Sequence, residues 1–452
     1  MRIHMIGIGG AGMSGVAEVL HRIGHEVTGS DLKESPYTRR LREAGVTVYI
    51  GHDPRQIGDA EQVVISTAIP STNPELLEAR RRSVPIVPRA AALARILSGG
   101  RSVAVAGTHG KTTTTSMTAH ALKALGEHPT AIIGGELNDI GSNVVFGGSD
   151  LFVAESDESD RSFLYLKPLA AVVTNVEFEH PDFYASLDDV IATFEQFVGA
   201  LPADGHLVAC ADDPNCLRLA AVAPCPVTTY GLSTGDLRAK ILSPNSYSLI
   251  EGGEERGMVE LGVYGRHNVL NSLAAAGVAH WLGHDAYRAA VSLKDFSGVR
   301  RRFQLKGERG EVRVVDDYAH HPTELAATLE VARAIRRQRG RVIAVFQPHR
   351  YSRTRALYRE FGEALTLADA VLVTDVYGAG EMPQPGVSGK LIVDAVCESP
   401  SRPGTRPDVY YIPDQHDIPG VLRTIAEPKD TVLTMGAGDI SRVGDELLNM
   451  LG

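Results

Sequence analysis

The chain has 452 residues, 43% hydrophobic and 22% charged, which is the composition of an ordinary globular protein long enough for about three domains. Its formal net charge of −10 argues against a general binder of nucleic acid or of anionic membranes. The four cysteines lack C-x-x-C spacing and the first residues, MRIHMIGIGG, lack the apolar core of a signal peptide. With no apolar run of about 18 residues either, we expect a cytoplasmic protein without membrane insertion and with reduced thiols.

The first segment alternates short apolar strands with helical patterns, which is typical of a doubly wound parallel sheet. The strand IHMIGIG leads into a glycine-rich turn, GGAGMSG, and then into a helix. Gly7, Gly9 and Gly12 match the G-x-G-x-x-G dinucleotide motif, and Asp31 ends the second predicted strand, where an acid that binds ribose is expected. A glycine turn needed only for packing is the alternative. We predict a Rossmann-like domain over residues 1–98, followed by a linker near residues 95–102.

The second segment contains SVAVAGTHGKTTTT, which predicts a strand, a turn and the start of a helix. It departs from the template G-x-x-x-x-G-K-[ST], because Val105 stands where the template has its first glycine. The backbone N–H groups at the helix start still suit a phosphate, Lys111 can reach terminal phosphates, and Thr112 can bind the accompanying Mg²⁺. We predict a P-loop ATPase-type, mononucleotide-binding domain over residues 99–298, with an antiparallel patch between about residues 227 and 263.

Polar residues follow further strands of this domain. Glu155 ends the strand LFVAE and His180 lies in VVTNVEFEHPDFY, at edges where doubly wound sheets bind ligands. Because Mg²⁺ usually takes one or two carboxylates, Glu155 is the stronger ligand candidate, and His180 has a structural role as its alternative. In GRHNVLNSLAA, Asn268 and Asn271 lie at a helix start, where Asn268 either caps the helix or reads a base.

The third segment again alternates strands and helices, so we predict a Rossmann-like domain over residues 299–452 and an α/β chain of three domains. DDYAHHPTE places Tyr318 and His320 at a strand end, and FQPHRYSRT places His349, Arg350 and Arg353 after another strand. Arginine binds carboxylates and phosphates through two parallel hydrogen bonds, so these residues are candidate substrate contacts. A solvated loop is the alternative for the histidines.

The chain resembles the Mur ligases, the ATP-dependent enzymes that build the peptide of bacterial cell-wall precursors. The resemblance extends from about residue 3 to residue 440 and consists of motifs in one order: AGTHGKTTT, ESDESD, TNVEFEHPDFY, GRHNVLNSLAA, FSGVRRRF, DDYAHHPTE and FQPHRYSRT. Within the family, GIGGAGMSG and DDYAHHPTE are most similar to the members that join L-alanine to UDP-N-acetylmuramate.

The resemblance implies that the first domain binds UDP-N-acetylmuramate, the central domain binds ATP and Mg²⁺, and the third domain closes over both with L-alanine. It implies that ATP is held by Gly107, Thr108, His109, Gly110, Lys111, Thr112, Thr113, Asn268 and Asn271. It implies that Mg²⁺ faces Thr112, Glu155 and His180. The sugar nucleotide is expected at Gly9, Gly10, Ala11, Gly12, Met13, Ser14, Asp31, Ser66, Thr67 and Tyr318. Catalytic roles are implied for Lys111, Glu155, His180, His320, His349, Arg350 and Arg353.

One departure from the family concerns the carbamoylated lysine that several members carry shortly after the position of His180. Residues 181–204 contain no lysine, so a second Mg²⁺ would need another ligand, for which Glu195 is the candidate. The implied reaction passes through an acyl phosphate, and His320, His349 or a substrate phosphate oxygen is the candidate base.

Three other functions compete with this interpretation. The first is a ligase that attaches a whole peptide to UDP-N-acetylmuramate. The second is a nicotinamide-dependent reductase, suggested by the glycine motif with Asp31. The third is a nucleotide-gated switch protein. The resemblance is compatible with a monomer or a homodimer, and with alanine, glycine or serine as the amino acid.

Overall fold

The computed structural model describes residues 1–66, 68–138, 141–400 and 406–452, and it contains three sheets formed by consecutive segments of the chain. Helices and strands alternate through most of each segment, so the predicted α/β fold class is confirmed. The domain boundaries near residues 98 and 298 stay predictions. Within the described part of the chain, no helix is both long and apolar enough to cross a membrane.

The first sheet has five parallel strands in the order β3-β2-β1-β4-β5. Its strands are β1 (Arg2–Ile6), β2 (Glu26–Asp31), β3 (Thr47–Ile50), β4 (Gln62–Ile65) and β5 (Ile86–Pro88). Its helices are α1 (Ala11–Arg22), α2 (Pro36–Glu43), α3 (Pro74–Arg81) and α4 (Arg89–Leu97). The strand order reverses between β1 and β4, and in such sheets ligands bind beside the carboxyl ends at that reversal. Helix α1 begins inside the stretch predicted as a turn, because Gly7, with φ of 78°, already completes the change of direction.

The second sheet has ten strands in the order β15-β14-β13-β12-β11-β10-β6-β9-β7-β8. Its strands are β6 (Arg101–Ala106), β7 (Thr130–Ile132), β8 (Val144–Val145), β9 (Leu151–Glu155), β10 (Ala170–Val173), β11 (His206–Cys210), β12 (Val227–Gly231), β13 (Leu237–Ser243), β14 (Ser246–Glu251) and β15 (Glu254–Glu260). Its helices are α5 (Lys111–Ala124), α6 (Leu187–Gly199), α7 (Pro214–Val222), α8 (Arg266–Trp281) and α9 (Ala286–Ser292). The predicted antiparallel patch exists as β13–β15, but β12 pairs in parallel with β11, so the patch continues the main sheet.

The third sheet has six strands in the order β16-β17-β21-β18-β19-β20, all parallel except β16. Its strands are β16 (Gln304–Arg309), β17 (Val312–Asp317), β18 (Val342–Phe346), β19 (Ala370–Val373), β20 (Asp408–Tyr411) and β21 (Thr431–Met435). Its helices are α10 (Pro322–Ile335), α11 (Tyr351–Leu365), α12 (Gly389–Glu398), α13 (Ile418–Ile425) and α14 (Ser441–Leu451). The strand VIAVF of β18 is completely buried, as expected where helices cover both faces of a parallel sheet.

The apolar cores show how the three segments are joined. One cluster of buried residues runs without a break from Met13 and Val16 in the first segment to Ile132 and Val144 in the central segment. The third segment instead has two clusters of its own, one on each face of its sheet. The third segment contacts the rest of the protein through the buried Val299 at its start, which belongs to the first cluster, and through polar groups that border the cleft described next.

Candidate active site

The loop between β6 and α5 has the geometry of a phosphate-binding turn. Gly107 and Gly110 have φ of 132° and 81°, and a Cβ on Gly110 would lie 2.7 Å from Oδ1 of Asn271. A side chain therefore fits neither the backbone conformation nor the space at Gly110. Among the described residues, no side chain caps the amino end of α5, so its N–H groups are available to an anion, and the helix dipole favours negative charge there.

Two cavities meet at this loop. A small cavity of about 250 Å³ lies between α5, α8 and the third segment. A larger space of about 760 Å³, the central cleft, is lined by all three segments. His109, Gly110, Thr112 and Arg302 line both cavities, so a ligand that fills them would pass over the phosphate loop.

The small cavity is bordered by Thr113 and by the two asparagines of α8. The helix begins at Arg266 after Gly265, so the alternative in which Asn268 caps the helix is wrong: Asn268 lies within the first turn. Nδ2 of Asn268 donates to the carbonyl of Tyr264 at 2.7 Å, and Asn271 contacts both Asn268 and Thr114. These bonds fix the two amides at the cavity wall.

Lys111 lies among carboxylates in the central cleft. Its Nζ donates to the carbonyl of Gly107 at 2.7 Å and lies 2.8 Å from Oε2 of Glu158. Burial opposes a charge on Lys111, but Glu158 and Asp157 outweigh burial and raise its pKa above the ordinary value. Burial raises the pKa of Glu158 to about 7 against the effect of Lys111. With more than one carboxylate to a single ammonium group, Lys111 keeps its proton and the site has surplus negative charge.

The structure groups the candidate metal ligands differently from the sequence. Asp157, Glu158 and His180 each place one ligand atom within 4.8 Å of the others. Glu155 also lines the cleft, as does Thr112, but Oε2 of Glu155 accepts a hydrogen bond from Gly134 N at 2.7 Å. Sequence reasoning missed Asp157 and Glu158 although both lie in ESDESD. The end of a strand could be read from the sequence and points to Glu155, but the conformation of the following turn decides which later side chains face the cleft. Oxygen-rich groups of this kind suit Mg²⁺.

One further group of possible ligands, and the single candidate Glu195, are engaged with other partners. His109, Glu177 and His321 also lie close together. Burial lowers the pKa of His109, but Glu177 and Glu324 outweigh it and raise that pKa to about 9. A protonated imidazole is not a metal ligand. Oε1 of Glu195 pairs with Arg218 at 2.8 Å, and its role as a ligand of a second Mg²⁺ stays a prediction.

His320 and His349, the two candidate bases of the third segment, have pKa values below that of a free imidazole. Burial and the charge of Arg353 lower the pKa of His320 to about 4, although Glu324 opposes them. Burial, His320 and Arg353 likewise lower the pKa of His349 to about 3. The rings are 6.0 Å apart, and His320 lines the central cleft beside Tyr318. Neutral imidazole can accept a proton, although such low pKa values make both rings weak bases.

The arginines predicted as substrate contacts are engaged with the central segment. Nε of Arg353 lies 2.8 Å from Oε1 of Glu179, and both side chains are at most 5% exposed. Arg350 pairs with Asp182. Arg353 lies in α11 and Arg350 directly precedes this helix, and both pair with carboxylates of the loop after β10. The structure therefore places these arginines at the contact between segments, and their contact with substrate stays a prediction.

A run of three arginines lies in the motif FSGVRRRF, where the sequence also suggests a hinge for domain closure; the hinge stays a prediction. Arg301 donates to Asp316 at 2.9 Å and to two carbonyls of the loop after β21. Arg302 lies 3.4 Å from Glu324 at the junction of the two cavities. Burial lowers the pKa of Arg302, but Glu324 and Asp317 outweigh it and raise that pKa. The sequence feature that could have indicated a role for these residues is the run of three successive positive charges at the start of the third segment.

The glycine turn of the first segment lies at the other side of the cleft. Ala11 lines the cleft, and its carbonyl accepts a hydrogen bond from Asn143 at 2.5 Å. Oδ2 of Asp31 accepts from Gly9 N at 2.9 Å, so this acid binds the turn itself. The side chains of Met13 and Ser14 are buried.

The other predicted contacts of the first segment lie near the same turn. Gly10 precedes α1 as its N-cap, and a Cβ on Gly12 would lie 3.0 Å from Arg89. A Cβ on Gly7 would lie 3.8 Å from Oγ of Ser66, which places Ser66 beside the turn. Thr67 lies outside the described residues.

Comparison with known proteins agrees with this arrangement. Three family models match the chain: the Mur ligase family catalytic domain over residues 2–101, the Mur ligase middle domain over residues 105–279, and the Mur ligase glutamate ligase domain over residues 301–438. The UDP-N-acetylmuramate–L-alanine ligase of Rubrobacter xylanophilus is 73% identical over 451 residues, covering 100% of both chains. The enzyme of the same name from Pelotomaculum thermopropionicum is 46% identical, covering 99% of this chain and 97% of its own.

Two solved structures are similar over nearly the whole chain. The UDP-N-acetylmuramate-alanine ligase of Thermotoga maritima superimposes with a TM-score of 0.82 at 31% identity, covering 100% of this chain and 99% of its own. A murein peptide ligase of Psychrobacter arcticus has a TM-score of 0.73 at 26% identity, with the same coverage. The phosphate loop, the glycine turn and the third-segment imidazoles thus occur in a fold that these proteins share. The chain belongs to the Mur ligase family.

Proposed function

We propose that this protein joins L-alanine to the carboxylate of UDP-N-acetylmuramate while ATP is converted to ADP and phosphate. One observation carries the proposal: a single cleft of about 760 Å³ is bordered by the glycine turn of the first segment, the phosphate loop of the central segment and the imidazole of His320. The relative that is 73% identical over its full length is named for this activity. The reaction belongs in the cytoplasm, where ATP is available, and the protein acts as a monomer or a homodimer.

ATP fits across the two cavities. The adenine enters the small cavity beside Asn268 and Asn271, and the phosphates pass over the amino end of α5. Lys111 and Thr112 then lie beside the terminal phosphates. Thr113 lines the small cavity in the first turn of the same helix, and the glycines of the loop leave room for the phosphate chain.

Mg²⁺ fits the acidic side of this loop. The residues that would hold it are Asp157, Glu158 and His180, with Thr112 and Glu155 along the same cleft. The fit rests on the surplus of carboxylates around Lys111, which a divalent cation would compensate. When bound, Mg²⁺ would stabilise negative charge on the transferring phosphoryl group.

The first chemical step makes the carboxylate reactive. A carboxylate oxygen of the sugar nucleotide attacks the γ-phosphorus, a new O–P bond forms, and the bond to the β-phosphate oxygen breaks to release ADP. The protonated Lys111 compensates the charge on the phosphates. Arg302 carries a second positive charge at the point where the two cavities meet, where the γ-phosphate would lie.

The second step forms the amide. The amine of alanine attacks the acyl carbon through a tetrahedral intermediate, and breakage of the C–O bond releases phosphate. His320 lines the cleft as a neutral imidazole, which allows it to take the proton of the ammonium group directly or through water. Ion pairs between α11 and the central segment close the side of the cleft and limit hydrolysis of the acyl phosphate.

Phosphate release measured with ATP and Mg²⁺, and with UDP-N-acetylmuramate and L-alanine added singly and together, tests the proposal. Release only with both substrates, with one UDP-muramoyl-alanine formed per ADP, supports it. Release with a tripeptide but not with alanine would identify a peptide ligase instead. Release that ignores both substrates would leave a nucleotide-gated switch, and tight binding of NADH would favour a reductase.

A further inference from the structure

Glu136 lies where the three segments of the protein meet. It follows β7 in the central segment, and its carboxylate is buried at the edge of the central cleft. Oε1 accepts a hydrogen bond from Nη2 of Arg40 at 2.9 Å, and Oε2 accepts from Nη1 of Arg300 at 2.7 Å. Arg40 belongs to α2 of the first segment, and Arg300 precedes β16 of the third. We refer to these three residues as the Glu136 triad.

The backbone beside Glu136 is fixed to the chain that enters the third segment. The N–H of Arg300 donates to the carbonyl of Glu136 at 2.8 Å, and Leu137 forms an antiparallel bridge with Val299. Nδ2 of Asn138 donates to the carbonyl of Ser297 at 3.0 Å. These contacts form a short ladder, so a shift of Glu136 moves Arg300 with it.

The opposite end of the triad reaches the sugar-nucleotide side of the cleft. The guanidinium of Arg40 lies over the ring of Tyr37, 5.6 Å from its centroid. Tyr37, Glu136 and Ala11 line the same cleft. Each oxygen of one carboxylate is therefore bound by an arginine from a different segment.

The triad contributes to the placement of the third segment because, among the described residues, this segment joins the shared apolar cluster only at its first residue, Val299. Polar contacts also hold the third segment in place, and charge-assisted hydrogen bonds are the strongest of these. Arg301 and Arg302 follow Arg300 directly, and Arg302 lies at the junction of the two cavities. The position of Arg300 thus affects the position of Arg302.

We propose that Glu136 is a positioning residue for ligation. By binding Arg300 and Arg40 at once, it fixes the arginine run 300–302 relative to the sugar-nucleotide side of the cleft. The inference rests on the proposed function. Loss of the negative charge leaves Arg40 and Arg300 without their shared partner. The contact that connects the first segment to the third through Glu136 is then lost. We expect the adenine end of the ATP site to be less affected than the sugar-nucleotide side, because none of the three triad residues lines the small cavity.

The test compares Glu136→Gln with Arg40→Ala, and uses Arg39→Ala as the matched control, because Arg39 is exposed on the same helix. For Glu136→Gln we expect kcat to fall by about 10-fold or more and the KM for UDP-N-acetylmuramate to rise, because a displacement of about 1 Å can cost about 10²-fold in rate. The KM for ATP should rise less than the KM for UDP-N-acetylmuramate, and Arg40→Ala should act in the same direction. The double variant should be no worse than the worse single variant, because both remove one contact.

Each outcome has a defined meaning. Unchanged kcat and KM in Glu136→Gln, with only a lower melting temperature, would make the triad merely structural and overturn the inference. A similar loss in Arg39→Ala would also overturn it. If Glu136→Gln does not fold, Arg40→Ala decides the question by the same criteria. Absence of ligation by the wild-type protein would refute the proposed function itself, which distinguishes the two failures.

Discussion

The buried ion pair between Glu179 and Arg353 connects the central and third segments, and its removal has a calculable effect. Arg353→Leu leaves the carboxylate of Glu179 buried without its partner. Burial raises the pKa of Glu179, and Arg353 is the main group that outweighs burial and holds the pKa well below its ordinary value. Without the arginine, burial would raise the pKa of this carboxyl group instead.

The magnitude follows from the burial of both partners. Because both side chains are at most 5% exposed, screening by solvent is weak. Loss of one partner from a buried pair costs about 3–5 kcal/mol of unfolding free energy, whereas replacing both partners with apolar groups is often neutral. We therefore expect Arg353→Leu to cost about 3–5 kcal/mol, and the double variant Glu179→Met/Arg353→Leu to cost less than the single variant.

Urea unfolding measures both effects, with the fluorescence of the single tryptophan, Trp281, reporting on the central segment and far-UV circular dichroism on the whole chain. The same unfolding measurement at a series of pH values checks the direction of the pKa shift of Glu179. A lowered folded-state pKa contributes stability above the ordinary pKa of 4.5, and this stability is lost as the pH falls through the folded-state value. The difference between wild type and Glu179→Gln should thus be constant near neutral pH and shrink below about pH 4.5. A double variant that costs the sum of its singles would refute the reasoning.

Three further predictions concern stability, packing and the metal. For His109→Gln, the loss of unfolding free energy relative to wild type should be complete below about pH 6.5 and should vanish as the pH rises through 9. The reason is that burial lowers the pKa of His109 but two neighbouring carboxylates raise it to about 9. Urea unfolding across this pH range checks the prediction, and a loss that grows above pH 8 contradicts it. Phe194→Ala should cost about 3–5 kcal/mol by the same measurement, since the ring is 0% exposed, while the exposed Phe183→Ala should cost less than about 0.5 kcal/mol; equal costs would argue against this packing. His180→Ala should raise the Mg²⁺ concentration for half-maximal phosphate release by at least about 10-fold without changing calorimetric binding of UDP-N-acetylmuramate, and an unchanged Mg²⁺ requirement would remove His180 from the metal site.

Local sequence determined the backbone of the site. The valine-rich and alanine-rich runs predicted β6, β10 and β18, because a strand buried on both faces needs a continuous apolar run. Gly107 and Gly110 marked the phosphate loop, because φ values of 132° and 81° favour glycine. Boundaries were less well predicted: α1 starts within the expected turn, and the three-residue strand β5 was missed. Such a short element carries too few residues for a periodic pattern to appear.

Tertiary structure decided which side chains meet. The sequence placed Glu155 and His180 at strand ends, but packing grouped His180 with Asp157 and Glu158 instead. It also turned Arg353 towards Glu179, a residue 174 positions away in the chain. Periodicity and turn residues act over a few neighbours and fix the path of the backbone, whereas ion pairs and pKa values depend on distances between segments. Only the assembly of three sheets around one cleft sets those distances.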